Sequence, residues 1–159
     1  MFIRPIESSD LNTMWRINEQ GLPGVGQVNE LQISDLITLS NLAIGVEDSG
    51  VLAGFVLCLP PGTRYGSLNY AWFNKRYDRF LYVDRIAVAE THRNRGVGTL
   101  LYNCVIDHAN KLGVPVVAEV SLKPLNAGSM RFHHRHGFEN VGVLDHADKS
   151  VTMLRRSVG

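Results

Sequence analysis

The spacing of apolar residues divides the 159-residue chain into short strands and amphipathic helices. Phe2–Ile6 reads as a strand. Ser8, Ser9 and Asp10 offer N-cap oxygens for a helix with Leu11, Met14 and Trp15 on one face, and the run Gly21-Leu22-Pro23-Gly24-Val25-Gly26 breaks it. Residues 29–39 predict a second helix with Leu31, Leu36 and Ile37 as its apolar positions. Residues 42–47 and 51–59 are strand-like, and Asp48-Ser49-Gly50 between them reads as a hairpin turn. Pro60-Pro61-Gly62 ends the second of these strands. Residues 64–77 are aromatic-rich and irregular in pattern, whereas residues 80–88, β-branched and aromatic, read as a strong strand.

From there the period lengthens. Val97, Leu100, Leu101, Cys104, Val105 and Leu112 mark one face of a helix over about residues 96–112, with Gly113 as a C-cap. Residues 114–122 read as a strand and residues 126–136 as a helix closed by Gly137. Residues 138–144 and 151–155 read as two further strands around a polar turn. The strand–helix–strand unit in the middle requires a parallel strand pair. The length predicts one domain over residues 1–159.

Composition narrows the function classes. Charged residues are 19% of the chain and the net charge is +1, with no long Lys/Arg run, so nucleic acid is not an expected partner. No apolar run approaches the roughly 20 residues of a membrane span, and the N-terminus lacks a signal-peptide pattern. A cytoplasmic protein with no membrane partner is expected. Cys58 and Cys104 sit among apolar neighbours and read as reduced, buried thiols. His133, His134 and His136 do not share one helix face and have no completing ligand, so no metal is expected; these, His92 and His108 read as solvated.

The chemistry concentrates in Arg93-Asn94-Arg95-Gly96-Val97-Gly98-Thr99, which leaves a strand and enters a helix. Glycines let a ligand approach the backbone. First-turn N–H groups lack intrahelical partners and lie at the positive end of the helix dipole. The segment therefore reads as a diphosphate cradle. It is not a Walker loop, because Thr99-Leu100 follows Gly98, and it is not a dinucleotide fingerprint, because Leu101 stands where the third glycine belongs.

Arg93-x-x-Gly96-x-Gly98 resembles the Arg/Gln-x-x-Gly-x-Gly/Ala loop of the GCN5-related N-acetyltransferases, and Ile86-Ala87-Val88 resembles that family's strand end. Asn126-x-x-Ser129-x-x-Phe132-His133-x-x-x-Gly137-Phe138 resembles its C-terminal signature. The resemblance covers about residues 80–145 and implies an α/β fold with a mixed, mostly antiparallel sheet, helices on both faces and a splayed parallel strand pair. It implies an acetyltransferase using acetyl-coenzyme A on an amine, a small molecule or a protein N-terminus, by direct attack in a ternary complex. The alternative is a non-catalytic acyl-coenzyme A binding domain. A homodimer is left open.

By the same resemblance, Arg93, Asn94, Arg95, Gly96, Val97, Gly98 and Thr99 hold the pyrophosphate, and Ile86, Ala87 and Val88 line the pantetheine arm. The Val88 N–H would polarise the thioester carbonyl, and Asn126, Ser129, Phe132 and His133 would contact the coenzyme. The family's usual acid is a tyrosine; His133 stands there, either as the acid or as a cap on the coenzyme pocket. Glu119, in a strand resembling that of the ribosomal-protein N-terminal acetyltransferases, is the first candidate for general base. Asp84 is the second.

Overall fold

The computed structural model describes residues 1–159. Local sequence sets its first hairpin. Ser49 and Gly50 take φ of 52° and 82°, the left-handed turn that matches strand twist. It joins β2 (Leu42–Asp48) to β3 (Val51–Leu59), and β1 (Phe2–Pro5) pairs antiparallel with β2. Helices α1 (Leu11–Gln20) and α2 (Glu30–Leu39) lie between β1 and β2 in the chain. Asn29 caps α2 by accepting from the Gln32 N–H, while the Gln32 side chain returns to the Asn29 N–H.

The remaining elements are α3 (Leu68–Arg76), β4 (Leu81–Val88), α4 (Val97–Leu112), β5 (Val116–Lys123), α5 (Ala127–Arg135), β6 (Glu139–Asp145) and β7 (Ser150–Arg156). The seven strands form one mixed sheet in the order β1-β2-β3-β4-β5-β7-β6. Its parallel pair is β4–β5, matched through Leu81↔Val116 and Tyr82↔Val117, the first two residues of each strand. The predicted strand–helix–strand unit is therefore β4–α4–β5.

By internal packing the residues fall into two units. The first holds residues 1–59 and 83–105. Its core contains Met14 and Ile17 of α1, Ile33 and Leu36 of α2, Phe55 and Leu57 of β3, and Val97 and Leu101 of α4. The second holds residues 60–82 and 106–159. Its core contains Tyr70, Phe73, Phe80, Tyr82, Val117, Phe138 and Met153.

Two expectations are corrected. Most of residues 64–77 are helical: Ser67 accepts from the Tyr70 N–H and opens α3 over Leu68–Arg76. The dense aromatics hid the helical period because several of them are core residues rather than one stripe. On α2 it is Ile33 that is buried, while Leu31 is 81% exposed. The last two strands are not laid down in chain order. β7 lies between β5 and β6, and its Ser150–Leu154 segment is buried.

Candidate active site

The first group of predicted residues lies in the first unit. A short 3-10 turn, Glu90–His92, leads from β4 to the loop. Arg93, Asn94, Arg95 and Gly96 are exposed, and α4 begins at Val97. Asn94 and Gly96 take φ of 61° and 83°, so the backbone turns twice through the left-handed region before the helix starts. A Cβ placed on Gly96 would meet no atom within 4 Å. The loop is open where the sequence predicts a cradle, with the first-turn N–H groups of α4 behind it.

Polar anchors hold this loop. His92, read from sequence as solvated, is buried: one ring nitrogen lies 3.0 Å from Asp48 Oδ2 and the other 2.7 Å from Thr91 Oγ1. Arg95 also lies 3.6 Å from Asp48 Oδ2. The hydrogen bond from His92 holds the Asp48 carboxyl below the usual range. Arg93 donates to the Gln20 carbonyl at 2.8 Å, and the Gln20 side chain accepts from the Glu90 N–H at 3.0 Å. None of these anchors was legible in sequence, because Gln20 and Asp48 come from α1 and β2.

Ile86 and Val88 are half-buried and Ala87 is buried on β4. Just beyond, the Ala89 N–H donates to the Ala53 carbonyl of β3 at 2.8 Å. Asp84, a candidate base, is held by Arg85, whose Nε donates to its Oδ2 at 2.7 Å. Their side chains are 3% and 6% exposed. The same guanidinium donates to Asn18 Oδ1 at 2.9 Å and to the Gly26 carbonyl at 3.1 Å. Asp84 is thus half of a buried ion pair that ties β4 to α1 and the segment after it.

The second group lies in the second unit. Glu119 on β5 is half-buried. Its Oε1 accepts from the Tyr82 hydroxyl at 2.8 Å and from Asn69 Nδ2 at 3.1 Å. Neither partner was singled out with Glu119 from sequence. Asn126 caps α5, its Oδ1 accepting from the Ser129 N–H at 3.1 Å. Phe132 is half-buried and packs edge-on against His133, with ring centroids 5.7 Å apart.

His133 is 4% exposed. Its Nδ1 lies 2.8 Å from the Ser129 carbonyl, so Nδ1 must carry the proton and donate. Burial lowers its pKa to about 4, more than the bond to Ser129 raises it. Near neutral pH the ring is uncharged, with Nδ1–H engaged and a lone pair on Nε2. That tautomer accepts at Nε2 rather than donating. Cys58 is buried and its thiol pKa is pushed up, as an inert core thiol requires.

A family model described as Acetyltransferase (GNAT) family matches residues 12–138. No curated protein matches the sequence. Among solved structures, Ard1 from Thermoplasma volcanium aligns over 99% of this chain and 97% of its own, with TM-score 0.80 and 20% identity. The ribosomal-protein-alanine N-acetyltransferase from Brucella melitensis aligns over 99% and 100%, with TM-score 0.78 and 18% identity. YncA from Salmonella typhimurium, solved with its cofactor acetyl-CoA, aligns over 100% and 94%, with TM-score 0.74 and 18% identity. At these identities the likeness is one of fold.

Proposed function

Because the chain belongs to the acetyltransferase (GNAT) family, we propose that it moves an acetyl group from acetyl-coenzyme A to a primary amine of a small molecule or a protein N-terminus. The amine attacks the thioester directly in a ternary complex. The observation that carries this reading is the exposed Arg93–Gly96 loop running into α4, with two left-handed residues and open space at Gly96. Such a loop fits a pyrophosphate: the N–H groups of Val97, Gly98 and Thr99 are free of intrahelical carbonyls, and the helix dipole favours the anion. Asn126, Ser129 and Phe132 contribute further coenzyme contacts in this reading.

The reaction forms an N–C bond and breaks the C–S bond, giving an amide and the coenzyme thiol. The proton lost by the amine is, in net terms, gained by the sulfur. The Val88 N–H suits the developing oxyanion. Ala89 directs its N–H to β3, so in an extended strand the preceding N–H faces the opposite edge. Glu119 serves as general base, its carboxylate oriented by Tyr82 and Asn69. Asp84 suits that role less well, since its charge is already matched by Arg85 in a buried pair. His133 acts as a cap on the coenzyme pocket; its neutral tautomer does not supply a proton from Nε2. A thiol with pKa near 8.5 leaves without full proton transfer.

The test is calorimetric titration with acetyl-coenzyme A against ATP and NAD, followed by thiol-release assays over a panel of amino acids, polyamines and peptides. Selective binding with turnover supports the proposal. Selective binding without turnover moves the chain to a non-catalytic acyl-coenzyme A binding role. Absence of binding removes both readings.

A further inference from the structure

Glu119 stands at the end of a polar chain that continues past Asn69. The Asn69 Oδ1 lies 3.0 Å from Nε2 of His146, a half-buried residue just after β6 in the β6–β7 turn. The donors along this chain are fixed by chemistry. A carboxylate only accepts, so Asn69 must turn its NH2 toward Glu119 and its oxygen toward His146. An amide oxygen also only accepts, so His146 must carry its proton on Nε2. All the bonds then run one way: His146 Nε2–H to Asn69 Oδ1, Asn69 Nδ2–H to Glu119 Oε1, with Tyr82 O–H meeting the same oxygen.

Further contacts brace this chain. Asn69 sits in the first turn of α3, opened by the Ser67 cap. Three residues on, Trp72 lies against β6 at Gly142, where an added Cβ would come within 2.5 Å of the indole Cζ2. The glycine lets the indole ring approach the strand this closely. At the turn, the His146 N–H donates to the Lys149 carbonyl at 2.7 Å, and Ser150 Oγ donates to Asp145 Oδ1 at 2.6 Å. α3 therefore meets the β6–β7 hairpin at two places, the Trp72–Gly142 contact and the Asn69–His146 bond. All of these residues belong to one unit.

The geometry points to His146 and Asn69 as positioning residues for acetyl transfer, which together hold the Glu119 carboxylate in the orientation that receives the amine proton. The assignment rests on Glu119 as the base. His146 acts through Asn69 and does not touch the reacting atoms. Removing its ring would leave Asn69 free to rotate its amide, and the bond to Glu119 would lose its direction.

The test combines two readouts, one of which does not need turnover. In protein labelled with 13C at glutamate carboxyls, the Glu119 resonance is followed through a pH titration in the wild type, Asn69→Ala, His146→Ala and His146→Gln. Losing a hydrogen bond to a charged group raises the Glu119 midpoint by about one pH unit in Asn69→Ala. A smaller rise is expected in His146→Ala, with recovery in His146→Gln, whose side-chain amide can still donate to Asn69. In acetyl transfer to the amine accepted by the wild type, His146→Ala lowers kcat by about tenfold with the KM for acetyl-coenzyme A unchanged, and His146→Gln restores it. A Glu119 midpoint that is the same in folded His146→Ala as in the wild type overturns the coupling. An unchanged kcat overturns the role in transfer. A wild type that acetylates no amine counts instead against the proposed function and removes the transfer role, while the titration still decides whether His146 and Glu119 are linked.

Discussion

Gly54 of β3 and Val97, the first residue of α4, meet so closely that a Cβ on Gly54 would lie 2.8 Å from Val97 Cγ1. The same atom would lie 2.9 Å from the Ala87 carbonyl oxygen, which is backbone and cannot rotate away. The glycine therefore lets the start of α4 and the end of β4 settle against β3. Gly54→Ala should cost about 1–3 kcal/mol as an overpacked site and lower Tm by roughly 5 °C. It should also weaken acetyl-coenzyme A binding, because the loop must shift with Val97. Thermal unfolding and calorimetry check both; an unchanged Tm would mean that β3 and β4 separate at little cost.

Gly96 tests the loop without touching the core. Its φ of 83° strains any L side chain, yet a Cβ would find open space. Gly96→Ala is expected to cost about 1 kcal/mol of stability from backbone conformation alone. Gly96→Trp pays the same backbone cost and also fills the cradle. Its acetyl-coenzyme A affinity should fall by more than about tenfold beyond that of Gly96→Ala. Equal affinity in the two folded variants would place the pyrophosphate elsewhere.

His133 should make the fold sensitive to acid. Its pKa is lowered from 6.5 to about 4 by burial. Above pH 6.5 both folded and unfolded chains hold it neutral, and its contribution to stability is fully present. As pH falls through 6.5 the unfolded chain takes up a proton that the folded chain refuses, so stability is lost down to about pH 4 and then levels. The loss from this residue amounts to about 3 kcal/mol. Urea unfolding at pH 7 and at pH 4.5 should show a smaller acid loss in His133→Phe than in the wild type. The kcat profile of the wild type should show no limb from His133 between pH 6 and pH 8, and its ring should titrate near pH 4 by NMR.

The buried pair of Asp84 and Arg85 predicts an asymmetric response. Arg85→Met leaves a carboxylate that is 3% exposed without its partner, and should destabilise by about 3–5 kcal/mol. The double variant Asp84→Leu with Arg85→Met should recover a good part of that loss, because no buried charge remains. Denaturant unfolding of the single and double variants measures the difference. Asp84→Asn should reduce stability more than it reduces turnover per folded molecule, whereas Glu119→Gln should lower kcat by about 100-fold or more. The reverse order would make Asp84 the base.

What the sequence determined by itself is what depends on neighbours along the chain. The Ser49-Gly50 turn, the α4 stripe and the glycine-bearing loop before α4 all follow from local rules about φ and helical period. The family signature lies in such segments, so the fold class could be read from it. Tertiary structure decided the rest. Helix α3 was hidden because Tyr70 and Phe73 are committed to the core while Trp72 rests on Gly142. β7 took the place between β5 and β6 because its Val151–Leu154 segment is buried, whereas β6 carries exposed Glu139, Asn140 and Val143 and lies at the sheet edge. His92 gained Asp48, and Asp84 was matched by Arg85, which also reaches Asn18. Glu119 met Asn69 from a helix fifty positions earlier in the chain. Charge and hydrogen-bonding partners are set by distance in space, and a linear pattern carries no record of which distant segment will arrive beside a given carboxylate or imidazole.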